Sequence, residues 1–254
     1  MNKLKQQIIK SVAAVGEGHI PSAFSILDIL WVLYNRVLNI DPADPKNINR
    51  DRFVLSKGHS SVGLYAVLAD RGFFDRKALE DFAKFDSFLG GHPDRNKVPG
   101  VEASTGSLGH GFPMAVGMAL GLKINKNAAR VFTLIGDGEA NEGTVWESAL
   151  LAAHHHLDNL YCIVDHNHST DRALLVDNLV KKFESFGWET IMVDGHDQEA
   201  IYKALSSASL FGRPKAIVAA TIKGRGIKAM ENNASWHHRA PNTAEADQFL
   251  LELE

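Results

Sequence analysis

Asp137 and Asn167 offer a carboxylate and an amide oxygen, the hard oxygen donors that suit Mg²⁺ or Ca²⁺. Asp137 lies in Gly136-Asp137-Gly138-Glu139, directly after an apolar run at 131–135, and Asn167 follows a second run at 160–164. The two glycines let backbone approach an anion closely. An apolar run that ends in Gly-Asp-Gly reads as a buried strand breaking into a tight polar turn. Between the turns Val145, Ala149, Ala152 and Ala153 share one helical face, which Trp146 and Leu150 widen. A right-handed strand–helix–strand crossover makes the two strands parallel and adjacent. Both turns then fall at the carboxyl edge of one sheet, where open α/β folds bind ligands. The chemistry implied is a metal–diphosphate site.

The elements that must position this site follow from the rest of the chain. At 254 residues and 45% hydrophobic content it can bury the core of one α/β domain over 1–254, with an irregular C-terminal extension from about 224. A helix is expected over 2–14, then a loop in which Ser22 caps a helix carrying Ile26, Ile29, Leu30, Leu33 and Val37 at helical spacing. A short strand over 51–57 runs into Gly58-His59 and a helix from Ser60. The stretch from Gly90 to Gly111 holds too many glycines for a helix interior, and a small-residue helix follows from about Pro113. Strands at 189–193 and 216–222 flank a helix over 198–209, and the last dozen residues form an exposed acidic helical tail. The predicted fold is an open, mostly parallel sheet with helices on both faces.

A formal charge of −3 leaves no basic footprint for nucleic acid. No apolar run approaches 18 residues, and the N-terminus lacks the apolar core of a signal peptide, so a soluble cytoplasmic protein without membrane contact is expected. The one cysteine, Cys162, lies within an apolar run and reads as a buried, inert thiol. Consecutive helical residues point about 100° apart, so His154-His155-His156 reads as an exposed helix end rather than a metal site.

With 28 residues between Gly138 and Asn167, the paired turns resemble the thiamine diphosphate (ThDP) motif. Gly-Asp-Gly-Glu-Ala-Asn-Glu-Gly-Thr-Val-Trp-Glu, Leu55-Ser56-Lys57-Gly58-His59 and Gly91-His92-Pro93 are similar to the transketolase family, specifically the N-terminal subunit of split transketolases. The resemblance implies a ThDP-binding fold and assigns roles. Asp137, Asn167 and the Ser169 carbonyl hold Mg²⁺, with Ca²⁺ or Mn²⁺ able to substitute. Gly106, Ser107 and Leu108 line the cofactor rings, Gly136 and Gly138 border its diphosphate, and Glu142 faces its counterpart across a dimer interface near the cofactor. His19, His59, His92 and His237 supply acid, base and hydrogen-bonding groups, His59 and His237 also lying near the diphosphate. His238, which stands where relatives carry glycine, is the alternative to His237 as the site histidine; His110 stands where the family carries glutamine, and Pro21 and the 168–172 rim also depart from the family pattern.

The implied activity is two-carbon ketol transfer from a ketose or ketose phosphate to an aldose. The resemblance further implies a separate C-terminal subunit carrying the pyrimidine-binding half, an α₂β₂ assembly, and no activity from this subunit alone. A 2-oxo acid dehydrogenase E1α-like subunit, a deoxyxylulose phosphate synthase-like subunit and a non-catalytic ThDP-binding regulatory module stand as alternatives.

Overall fold

The computed structural model describes residues 1–171, 173–209 and 212–254. Five strands form one sheet: β1 (Arg52–Leu55), β2 (Val131–Gly136), β3 (Leu160–His166), β4 (Glu189–Asp194) and β5 (Lys215–Ala220). Their order is β1-β2-β3-β5-β4, and every neighbouring pair is parallel. Val131 pairs with Leu160 and Gly136 with Asp165, so the two turns that open the site stand side by side. Apart from the edge strand β4, which has no buried residue, the strands alternate their side chains between two cores. Phe132, Leu134, Tyr161, Ile163, Ile217 and Ala219 enter one, and Val131, Ile135, Leu160, Cys162, Val164 and Val218 the other.

The first core is covered by α1 (Asn2–Val15), α2 (Ile20–Val32), α3 (Ser61–Asp70), α7 (Gln198–Ser206) and α8 (Thr243–Glu252). The second is covered by α4 (Gly111–Ile124), α5 (Gly143–His154) and α6 (Leu179–Ser185). Sheet strands buried on both faces carry near-continuous apolar runs, which is why the sequence reads so clearly there. Among the described residues no helix is long and apolar enough to cross a membrane. Cys162 is buried, and burial pushes its thiol well above the usual range.

Three local expectations are corrected. Ser22 does not cap α2; His19 occupies the N-cap and Pro21 falls in the first turn, where its missing N–H costs nothing. Leu150 does not widen the buried face of α5: it is 59% exposed, and Val145, Ser148, Ala149 and Ala152 turn inward instead. The C-terminal helix is not an exposed tail. Asn242 and Glu245 form a capping box, and Ala246, Phe249 and Leu253 are buried where α8 packs on α1.

Candidate active site

The carboxyl ends of β1, β2, β3 and β5 deliver Lys57, Asp137, Asp165 and Lys223 to one edge of the sheet. Asp137 is buried. Its Oδ1 accepts the Gly138 N–H at 2.7 Å, and its Oδ2 accepts the N–H groups of Asn167 (3.0 Å) and His168 (2.6 Å). This carboxylate therefore ties the two turns together. Asn167 donates through Nδ2 to Asp165 (3.0 Å) and Ser25 (3.2 Å), and its Oδ1 accepts the Ser169 N–H at 3.1 Å. A Cβ at Gly138 would lie 2.4 Å from the Thr170 methyl, so a larger residue there would have to displace that side chain. Of the 168–172 rim, Arg172 lies outside the described residues.

Asp165, which the motif reading passed over, organises the ground beneath this edge. It is fully buried and takes an ion pair from Lys57 and hydrogen bonds from Thr221 and from Ser25, the last at 2.6 Å. Burial alone would raise its carboxyl; the Lys57 charge and the hydrogen bonds outweigh that and hold it below the usual range. Glu139 is equally buried. It accepts from the Ser56 hydroxyl and from the N–H groups of Gly109 (2.9 Å) and Gly136 (3.3 Å), joining β1, the glycine-rich loop and β2. The available signal for Lys57, Asp165 and Lys223 was an ionisable residue at the end of an apolar run on three strands.

Loops far apart in sequence bring the histidines together. The rings of His19 and His59 are 5.2 Å apart, those of His19 and His237 5.4 Å, and those of His59 and His237 5.7 Å. His238 joins them by stacking on His19. His92 lines the same cavity as His19 and His59, its backbone carbonyl accepting from the Tyr65 hydroxyl at 2.9 Å. A Cβ at Gly106 would sit 3.3 Å from the His92 ring, so glycine there lets the loop close over it. Ser107 is exposed and Leu108 half-buried on that loop. Glu142 is exposed at the N-cap of α5, next to Gly109 and outside the histidine cluster. His110 is also outside it, turned back onto the Leu108 carbonyl at 3.0 Å. His196 is structural, placed between Asp28 and the Ile222 N–H. His154, His155 and His156 are exposed, and no three His, Cys, Asp or Glu side chains form a metal cluster among the described residues.

The electrostatics of this edge favour neutral imidazoles and an anionic guest. Burial, reinforced by His238 and His237, lowers His19 to about 3. Burial and Lys223 lower His237 to about 4, and burial with Lys57 pushes His59 lower still. Lys223 is brought down to about 8 by burial and by Lys57, and its Nζ stands 2.8 Å from His237 Nδ1. A stability consequence follows. The unfolded chain protonates these imidazoles near pH 6.5, the folded chain only well below it, so stability falls as pH drops from about 6.5 towards about 4. Urea midpoints measured at pH 7, 6 and 5 should decline, and His237→Gln should flatten the slope.

Two cavities flank the histidine cluster. The larger, about 630 Å³, is lined by Asn167, His168, Ser169, Lys223, Asn233 and His237 among others. The smaller, about 270 Å³, is lined by His19, His59 and His92 with Glu17, Phe82 and His238 among others. The chemistry of the donor set suits a diphosphate with a cation: the side-chain oxygens of Asp137 and Asn167 stand at the same edge as Lys57 and Lys223. Ser22 on α2 and Thr170 on the rim also carry buried hydroxyls without a partner among the described residues. The fold and this edge define an α/β domain of the cofactor-diphosphate-binding type.

Residues 1–250 match the family described as transketolase, thiamine diphosphate binding domain, and the chain belongs to that family. It is 42% identical to an apulose-4-phosphate transketolase subunit of Actinobacillus succinogenes, over 93% of this chain and 88% of that one. It is 36% identical to a 6-deoxy-6-sulfo-D-fructose transketolase subunit of a Clostridium species, over 93% and 88% of the two chains. The transketolase structure from Campylobacter jejuni superposes with a TM-score of 0.90 at 32% identity, covering 98% of this chain. This chain spans 42% of that longer protein.

Proposed function

We propose that this chain is the diphosphate-binding subunit of a two-subunit, ThDP- and Mg²⁺-dependent transketolase in the cytoplasm. It would move a two-carbon ketol unit from a ketose donor to an aldose acceptor. The observation that carries the reading is the convergence of His19, His59 and His237 beside the Asp137–Asn167 edge. Asp137, Asn167 and the Ser169 carbonyl would hold the metal, which Ca²⁺ or Mn²⁺ could replace, and Lys223 would offset diphosphate charge. When bound, the cofactor supplies the carbanion chemistry that amino-acid side chains lack. The chain's own residues orient the sugar and move its protons. His19, His59 and His237, as neutral imidazoles, would donate from one nitrogen and accept at the other, and His92 would hydrogen-bond donor hydroxyls. Gly106, Ser107 and Leu108 would border the cofactor rings, and Glu142 would meet its counterpart in an α₂β₂ assembly.

Both subunit relatives carry names that mark them as parts of a larger enzyme, which supports a partner holding the pyrimidine-binding half. The test mixes the purified chain with that partner, ThDP and Mg²⁺. Donors would include central pentose phosphates and the two sugars in the relatives' names. Ketol transfer is expected only when both subunits are present. Full activity from this chain alone would refute the split-enzyme reading. A decarboxylated 2-oxo acid or a deoxyxylulose product would favour one of the other ThDP enzyme classes.

Lys223 gives a separate expectation. Its charge in the free protein fades as pH rises through about 8, so ThDP affinity measured by calorimetry should weaken over that range. Lys223→Met should bind weakly at every pH and lose the dependence.

A further inference from the structure

The smaller cavity has an outer wall that the roles assigned above do not use. His238 lies flat on His19, ring centroids 4.5 Å apart and planes 27° apart, whereas His59 and His237 meet His19 at 59° and 79°. A stacked ring covers a face; tilted neighbours leave faces open. His238 Nε2 stands 3.8 Å from Glu17 Oε1, and the side chains are 55% and 70% exposed, which places the pair at the cavity's mouth. The turn that carries His238 is anchored. The Arg239 guanidinium lies 4.0 Å over the Trp236 ring and pairs with Glu245 of α8, while Trp236 packs on Phe249. Phe82 and Ala83 line the same cavity. The mouth is therefore rimmed by an imidazole, a carboxylate and a phenyl around a cavity of about 270 Å³.

We propose that His238 and Glu17 form a specificity wall that limits the length of the ketose accepted, favouring five-carbon over seven-carbon chains. The inference rests on the ketol-transfer reading. A ketose whose carbonyl end lies among His19, His59 and His92 sends its distal carbons towards this mouth. There a longer chain meets the His238 ring, and any anionic substituent at that point faces the Glu17 carboxylate. Neither side chain touches the reacting atoms in this arrangement; both act on the part of the sugar that does not react.

The test uses the complex with its partner subunit and one fixed aldose acceptor. kcat/KM is measured for a five-carbon and a seven-carbon ketose phosphate. His238→Gly is expected to raise the seven-to-five ratio about tenfold, the scale on which pocket size discriminates, mainly through a lower KM for the longer donor. His238→Gln keeps a side chain of similar reach and should retain most of the discrimination. Glu17→Gln should shift the ratio in the same direction by less. Histidine ring NMR provides a second readout, since removing the stacked ring should displace the His19 resonances. An unchanged ratio, or equal losses on both donors, would overturn the wall, as would immobile His19 resonances. A wild-type complex inert on every ketose would overturn the functional reading and this inference with it.

Discussion

Lys57→Met is expected to destabilise the chain by about 3–5 kcal/mol, the cost of leaving one member of a buried ion pair alone. Lys57 and Asp165 are both buried, and no other cation contacts Asp165 among the described residues. Without Lys57, burial dominates and the carboxyl is driven upward instead of held down. The sign of the pH response separates this from simple loss of packing. In the wild type Asp165 contributes stability that is present above the ordinary aspartate pKa of about 3.9 and lost below it. In the variant, protonation relieves the buried charge, so the gap between the two proteins should be widest near pH 7 and narrow on acidification. Urea unfolding at pH 7 and pH 5 measures both. Adding Asp165→Asn to Lys57→Met should recover part of the loss, because no charge is then left buried. A gap independent of pH would refute the account.

His19→Ala is expected to lower kcat of the reconstituted complex by about 10²- to 10⁴-fold, the usual contribution of a positioned acid–base group. His19 is central to the cluster, meeting His59, His237 and His238 at 4.5–5.4 Å. With its pKa at about 3 it is neutral at physiological pH. The acid limb of the pH–rate profile should therefore not arise from His19 anywhere near pH 6.5, where an ordinary imidazole would titrate. Because Asp137, Asn167 and Lys223 are untouched, ThDP binding should survive largely intact. A loss in kcat below tenfold would remove His19 from the proposed chemistry.

The sheet and the Asp137–Asn167 edge were legible because buried parallel strands write long apolar runs, and each run ends at a polar turn. The histidines were not legible by spacing. Nothing in the intervals between His19, His59, His92 and His237 predicts contact; family resemblance to their motifs nominated them, and the fold brings them to one edge. Lys57 and Asp165 went unread because a charge at a strand end looks like the start of a solvated loop. Only the register that sets Gly136 beside Asp165 shows that the loop begins later and the charges are buried. Ser22 was misplaced because capping preference outweighed the tolerance of a first helical turn for proline. Leu150 was misplaced because an apolar helical stripe need not be buried across its whole width.

The crossovers that build this sheet also set an order of events in folding. β1 pairs with β2 although α3, the glycine-rich loop and α4 lie between Leu55 and Val131, and the ring contact of His19 with His237 closes most of the chain. Contacts between such distant segments form slowly, since chain entropy is lost before they are made. Trp188 packs against Phe183 and Phe112 and donates its indole N–H to the Ala149 carbonyl, so its burial reports the docking of α4, α5 and α6 together. Tryptophan fluorescence during refolding should thus recover with the docking of these helices. Until β1 joins β2 and His19 meets His237, the chain has neither a complete sheet nor a closed histidine edge, and such a species lacks the proposed cofactor site.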